Sequence, residues 1–405
     1  MKKTLILFID AFSFSDLTEE RTPFMFKLAK QGVYGPLETI PAGYHIEYSM
    51  LSGCLPLKHN IWIWYYLNPK GSFSSIKYIK PLIKSFDFFN LEKQKRMFID
   101  VYLNLIRLFS GKTRFLKSNK IPVDFLQRLD ITVDRMHFET NVLQVPNIFD
   151  VFKERGIKYV GMEFPILSDN KGTKFYFTKG DFKEIDKAIG LLKKYNIAYL
   201  HIWELDKLEH KYGLHSKESL TYIKKLDDKI KEILQKNKNL RIILFSDHGG
   251  VKVTKTKNVL PILKDYDCDY FLGSTSVQVW LKGKDIGRKD DLKKLFLKEG
   301  YLIYDEKNIE KELFIPYKRE YVGDMIVWVK PGEQIYPDFF RDTAKVKSMH
   351  GYSKKVPELS GVFVMNGFGL GNKKIKSMKL YDIAPTILGA MDIPIPKIWD
   401  GKEKI

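Results

Sequence analysis

The chain has 405 residues, 44% hydrophobic and 29% charged, enough for one large core with appended subdomains and ordinary for a soluble globule. Lys and Arg outnumber Asp and Glu by 68 to 49, and the net charge of +19 favours anionic partners through long-range attraction. Two cysteines, Cys54 and Cys268, exclude a disulfide framework and a Cys-based metal cluster; no apolar window reaches the roughly 18 residues of a membrane span.

In chain order, MKKTLILFIDAF opens like a signal peptide. Asp10 interrupts the apolar run early and no small-residue cleavage site follows, so the segment reads as the first strand of a cytoplasmic protein. After NIWIWYYLNP a segment rich in Phe, Lys and Leu, residues 68–140, reads as a helical insertion with a helix across EKQKRMFIDVYLNLIRLF. Its basic flank and apolar face suit packing on the core, a partner or lipid headgroups. VPNIFDVFKERGIKYVGMEFP then reads as helix, Gly stop and strand, a return to α/β alternation. SLTYIKKLDDKIKEILQKNKN and KDDLKKLFLKEG have the spacing of amphipathic surface helices, which spreads much of the lysine over solvated faces. STSVQVWL and DMIVWVKPG read as strands within residues 253–345, a small α+β insertion. The rest, 1–67, 141–252 and 346–405, forms the core: α/β, with a mostly parallel central sheet flanked by helices. No nucleic-acid reader motif is present, since aromatics interleave with apolar rather than basic runs.

Three apolar runs in that core break into acidic or imidazole side chains: ILFIDAF at Asp10, IAYLHIWELDKLEH at Asp206 and His210, and LRIILFSDHGG at Asp247 and His248. A fourth segment, SMHGY, adds His350. In an open α/β sheet, residues just past the carboxyl ends of parallel strands converge on one crevice. Asp206 and His210 are four apart and share one side of a helical turn. The glycines after Asp247 and His248 suit a tight turn that directs both side chains to one site. Each piece alone has a plain structural reading as cap, turn or exposed helix face; the set in this order is harder to explain so. Mixed Asp and His ligands, about three per ion, suit two divalent cations, zinc by donor type with manganese or magnesium as alternatives. Two such ions roughly 4 Å apart activate an attacking oxygen and stabilise a departing one, the needs of phosphate-ester hydrolysis.

These motifs resemble the nucleotide pyrophosphatase/phosphodiesterase branch of the alkaline phosphatase superfamily. Its sequence of a strand-end Asp, a nucleophile region ending in a TG-like turn, Asp-x-x-x-His, Asp-His-Gly and His-Gly-Tyr reads here as FIDAF, YSMLSGCLPLKHNIW, ELDKLEHKYGLH, FSDHGGV and SMHGYS. LYDIAPTILGAMDIPIPKIWDGK is similar to the family's closing helix and strand. The resemblance implies one ion on Asp206, His210 and His350, and another on Asp10, Asp247, His248 and the nucleophile's oxygen. It also implies a Thr or Ser nucleophile at a helix start, where backbone N–H groups favour an anion. Counting back from Ser52 and Gly53 gives Gly43, Tyr44 or His45, none of them Thr or Ser. His45 is competent as ligand or phosphoryl acceptor. Thr39, in Thr-x-Pro, serves if a few residues are inserted before the helix; Ser49 lies about one turn beyond His45; a metal-bound hydroxide needs none of them.

The expected function is a metal-dependent phosphate-ester hydrolase, for diesters or pyrophosphates rather than monoesters. Its partners would be an anionic phosphorylated small molecule or a phosphate-bearing glycan or lipid, with peripheral membrane contact. One alternative moves a phospho-headgroup onto a glycan or lipid; another is a non-catalytic binding protein. Sulfatase chemistry is disfavoured because no Cys- or Ser-x-Pro-x-Arg segment sits at the nucleophile position. Trp62, Trp64, Tyr65 and Tyr66 follow that segment and offer stacking faces, although such clusters are commonly core. Lys58 is a candidate for gripping phosphate.

Overall fold

A computed structural model describes residues 2–40, 45–114, 116–176, 178, 180–341, 346–353 and 355–405. The apolar runs form the centre of a ten-stranded sheet. Thr4–Ile9 lies in the middle, parallel to Arg241–Phe245 on one side and to Ile197–Ile202 on the other. Tyr159–Glu163 continues in parallel beyond Ile197–Ile202, and two antiparallel strands, Ile166–Asp169 and Gly172–Phe175, finish that edge. On the other side Gly361–Asn366 is antiparallel to both Arg241–Phe245 and Val33–Glu38. Two reversals return Val33–Glu38 to the direction of the central strands.

TLILFI is buried throughout because both faces of the sheet are covered. Leu5, Leu7 and Ile9 pack with Met25, Ile185, Tyr222, Ile223 and Leu226 from the helices Pro23–Lys30, Asp181–Leu191 and Lys217–Lys236. Ile6 and Phe8 face the opposite layer, with Met50, Phe149, Phe152, Ile383 and Ile387. Period-two alternation along one strand thus serves two helical layers.

Residues 68–140 contain two long helices, Ile76–Phe88 and Glu92–Phe109. The 253–345 segment carries a four-stranded antiparallel sheet, Cys268–Leu272, Ser276–Leu281, Met325–Trp328 and Leu302–Tyr304, beside the helix Lys289–Lys298. One expectation fails at the carboxy terminus. The helix Ile383–Ala390 forms, but the chain after it is irregular rather than a closing strand. Pro394 and Pro396 each remove a backbone donor that a ladder would need. Among the described residues, no helix is long and apolar enough to cross a membrane.

Candidate metal centre and active-site cavity

Sheet register sets the site. Phe8 is level with both His201 and Phe245, so Asp10 and Asp247, each two residues further on, leave the sheet at the same height. Phe363 pairs with both Phe245 and Gly35, which puts Leu37 level with Asp247 and Thr39 just beyond it, at the same carboxyl edge. Asp206 and His210 sit on the helix Glu204–Tyr212, which starts directly after the Ile197–Ile202 strand. His350 arrives through a short ladder in which Val251 pairs with Met349, tying SMHGY to DHGGV.

The Asp247–His248 turn differs from its expected form. Neither Gly249 nor Gly250 has a positive φ. They are needed for close approach instead: a Cβ on Gly249 would lie 2.3 Å from the Glu358 carbonyl, and one on Gly250 2.5 Å from Ser348 Oγ. The positive φ of 65° falls on Ala11, after Asp10. The Ala11 N–H donates to Asp247 Oδ1 at 3.4 Å and the His248 N–H donates to the same oxygen at 3.0 Å, locking the two acidic segments together.

Five of the six expected ligands line one cavity, and His210 joins them through Asp206. His248 Nε2 lies 3.4 Å from Asp10 Oδ1 and 3.2 Å from Asp247 Oδ2. Asp206 Oδ1 lies 3.3 Å from His210 Nε2 and 3.5 Å from His350 Nε2. The rings of His248 and His350 stack at 3.8 Å, so the two groups adjoin. The Nδ1–H of His210 donates to the Ser348 carbonyl and that of His248 to the Gly249 carbonyl, both at 2.8 Å. Those bonds hold each imidazole in the tautomer whose Nε2 lone pair points at the carboxylates, the arrangement of a metal-ligating histidine.

Electrostatics agree with a cation site. Burial, then the charges of Asp247 and Asp206, push Asp10 up to about 7. Burial, with Asp206 adding to it, pushes Asp247 up to about 7. His350 is held well below the ordinary imidazole range by burial and by His248 and His210. Carboxylates that repel one another beside neutral imidazoles are stabilised by a bound cation, so the donor set fits divalent ions.

The cavity, about 330 Å³, is lined by Asp10, Asp206, Asp247, His248 and His350 and also by Thr39 and His45. Thr39 is half-buried at the strand end. His45 is buried at the start of the helix Ile46–Ser52, with its Nδ1 3.1 Å from Glu47 Oε1 and its ring 4.6 Å from Trp64. Burial, then Arg114, lower its pKa to about 4, which keeps the imidazole neutral. Gly43 and Tyr44 lie outside the described residues.

Ser49 does not reach the cavity. It is fully buried, and the His59 Nε2–H donates to its Oγ at 2.8 Å. His45 is the cap residue, with a positive φ of 64°. Its side chain therefore leaves the chain outside the helical register that would otherwise bring Ser49 to the same side. Lys58 pairs with Asp400 at 2.6 Å instead of facing the crevice. Of the four aromatics only Trp64 lines the cavity; Trp62 and Tyr65 are core, and Tyr66 stacks on Tyr321.

Five further polar residues line the cavity: Glu47, Arg114, His137, Glu163 and His201. Arg114 is buried, donates to Tyr48 Oη at 3.0 Å and Glu47 Oε1 at 3.4 Å, and sits 4.6 Å over the Trp64 ring. Glu163 and His201 lie at or near the ends of the apolar strands YVGME and IAYLHI, the same signal that revealed Asp10. Arg114 and His137 come from irregular insertion segments that gave no such signal.

A family model described as type I phosphodiesterase / nucleotide pyrophosphatase matches residues 122–353. No curated protein matches the sequence. The fold is similar to human ectonucleotide pyrophosphatase / phosphodiesterase 5, at 16% identity and a TM-score of 0.69, covering 99% of this chain and 97% of that one. It is also similar to an inactive murine form of the same protein in complex with AMP, at 15% identity and a TM-score of 0.68, covering 98% and 96%. The ligand motifs, their convergence and the family match over more than half its length agree: this chain belongs to the type I phosphodiesterase / nucleotide pyrophosphatase family, in the alkaline phosphatase superfamily, and is a phosphoric ester hydrolase.

Proposed function

We propose that the protein hydrolyses phosphodiesters or pyrophosphates of small anionic molecules by in-line displacement at a two-metal site, with Thr39 as nucleophile. The observation carrying this reading is the convergence of Asp10, Asp247 and His248 with Asp206, His210 and His350 beside the strand end that presents Thr39. Asp10, Asp247 and His248 would hold one divalent cation, and Asp206, His210 and His350 the other, zinc by donor type. When bound, such ions lower the pKa of a coordinated oxygen and neutralise charge on the transferring phosphoryl group.

The chain's own groups supply the rest. Thr39 Oγ1 attacks phosphorus as one ester oxygen departs, leaving a threonine phosphoester that keeps the substrate's other substituent until water hydrolyses it and releases the monoester. Asp10 and Asp247 would hold the cation that makes the Thr39 hydroxyl more acidic, so that its proton can leave to solvent near pH 7. Arg114, fixed by Tyr48 and Glu47, places positive charge at the cavity wall, and Trp64 offers a face for a planar leaving group. The AMP bound by the murine relative supports a nucleotide-like ligand. His45 is the weaker acceptor because its Nδ1 is engaged by Glu47 and its ring packs on Trp64. The test is bis(4-nitrophenyl) phosphate turnover with acid-quench mass spectrometry. A 4-nitrophenyl phosphoryl adduct on Thr39 that is absent in Thr39→Ala is expected; full turnover in Thr39→Ala would exclude the covalent route through this residue.

A second reading, in which the ester is borne by a lipid, is favoured by the helical hairpin. Residues 68–120 hold twelve Lys and Arg against three Asp and Glu. Met97, Val101 and Leu105 form an exposed stripe at spacing four, and Phe88 and Phe109 are 81% and 90% exposed. Apolar side chains flanked by lysine suit an anionic bilayer surface. Co-sedimentation with phosphatidylglycerol vesicles, reduced at least several-fold in Phe88→Ser/Phe109→Ser, is expected; equal recovery with and without vesicles would exclude it. Transfer of the headgroup to a glycan or lipid hydroxyl, rather than water, would appear in that assay as an added product.

A further inference from the structure

Beside the six-ligand centre, on the side away from Asp206, three more donors point at one another. Register places two of them: Met162 pairs with Leu200, so Glu163 and His201 follow as neighbours at the sheet's carboxyl edge. His137 comes over this face from the loop that follows Leu129–Ile131. His201 Nδ1 lies 3.2 Å and His137 Nδ1 3.7 Å from the same atom, Glu163 Oε2. The three residues each bring one ligand atom within 4.8 Å of the other two. The two Nδ1 atoms and Glu163 Oε2 are shielded from solvent; His201 and Glu163 are close enough to pair, and His137 Nδ1 makes no hydrogen bond. His137 is only 2% exposed, so its bare nitrogen is aimed from the core into the cluster.

Buried donors and acceptors are ordinarily paired, and leaving one unpaired is costly. A proton on His201 would satisfy Glu163 but leave His137 bare, whereas one cation at the point where the three atoms converge satisfies all of them. The opposite ring atoms favour the cation. His201 Nε2 is 3.3 Å from Asp10 Oδ2, and His137 Nε2 is 3.0 Å from the Tyr199 hydroxyl. With each Nε2–H donating to its oxygen, both Nδ1 atoms carry lone pairs, and a carboxylate faces them. Ligand atoms held at roughly 2.0–2.2 Å from a small divalent ion stand about 3.3–3.6 Å apart, close to the separations here.

We propose that His137, Glu163 and His201 form a third divalent-metal site of the two-histidine, one-carboxylate type, joined to the hydrolytic centre through the His201–Asp10 hydrogen bond. Its ligand is a transition-metal dication such as zinc, and the fourth position opens to the cavity these residues line. The ion fixes the His201 tautomer, and that tautomer orients Asp10. Glu163 and His137 are therefore positioning residues for the hydrolytic centre. The site stands on its own donors and does not require the two-ion mechanism.

The test is zinc stoichiometry of the full chain by equilibrium dialysis and elemental mass spectrometry, beside bis(4-nitrophenyl) phosphate kinetics. Wild type is expected to bind three zinc ions. Glu163→Gln and, independently, His137→Asn should each bind two, with kcat lowered about 10-fold, as for loss of an outer-shell partner. Asp206→Asn should instead lose an ion of the hydrolytic pair together with nearly all turnover. Two ions in wild type with intact turnover, or three in a folded Glu163→Gln, would overturn the third site and leave the hydrolytic reading standing. An absence of bound zinc would overturn both.

Discussion

Thr39 and His45 are six residues apart and line the same cavity, yet their side chains are placed for different work. Thr39 leaves the sheet at the edge that carries Asp10 and Asp247, whereas His45 is buried against Glu47 and Trp64. Thr39→Ala should lower kcat by about three orders of magnitude or more with zinc binding nearly intact, while His45→Gln should act mainly on KM. Stopped-assay kinetics with metal analysis separate the two; equal kcat losses would favour His45 as acceptor. His59 illustrates a purely structural imidazole. It accepts from the Ile61 N–H at 3.1 Å and donates to Ser49, and burial lowers its pKa to about 3. A histidine with a depressed folded pKa contributes stability above its unfolded value, near 6.5, and loses it as pH falls toward 3. Chemical denaturation across that window should therefore show less acid destabilisation in His59→Gln than in wild type. Parallel pH profiles would show that His59 does not remain neutral in the fold.

The acidic strand ends were legible in the sequence because a carboxylate closing an apolar run is costly to bury without a partner. Helix spacing was legible for the same kind of reason: Glu92–Phe109 and Lys217–Lys236 keep apolar residues at intervals of three and four. What stayed hidden depends on register between distant strands. Thr39 reaches the site only because two antiparallel pairings through Gly361–Asn366 restore the direction of its strand. His137 and Arg114 arrive from irregular segments, where no periodicity constrains position. Gly361 holds that pairing tight, since a Cβ there would lie 2.4 Å from the Ser246 carbonyl. Gly361→Ala should cost about 1–3 kcal/mol of stability and disturb the Asp247–His248 turn next to it. Thermal unfolding and zinc affinity measure both, and an unchanged melting point would show that the two strands slide apart without penalty.

Across the whole molecule, one sheet edge gathers candidate metal ligands from segments spread over some 340 residues of sequence, from Asp10 to His350. The two insertions do different things to that edge. The first contributes Arg114 and His137 to the cavity and carries the exposed hairpin; the second delivers the chain into the ladder that seats His350. Twelve Lys and Arg against three Asp and Glu in residues 68–120 put much of the positive charge on the segment that carries the exposed apolar hairpin. The direct test of the central claim is phosphodiester turnover through a cycle of chelation and reloading. Treatment with a chelator should abolish bis(4-nitrophenyl) phosphate hydrolysis, and zinc or manganese should restore it in wild type but not in Asp247→Ala. Turnover that survives complete metal removal, or persists in Asp247→Ala, would contradict the account.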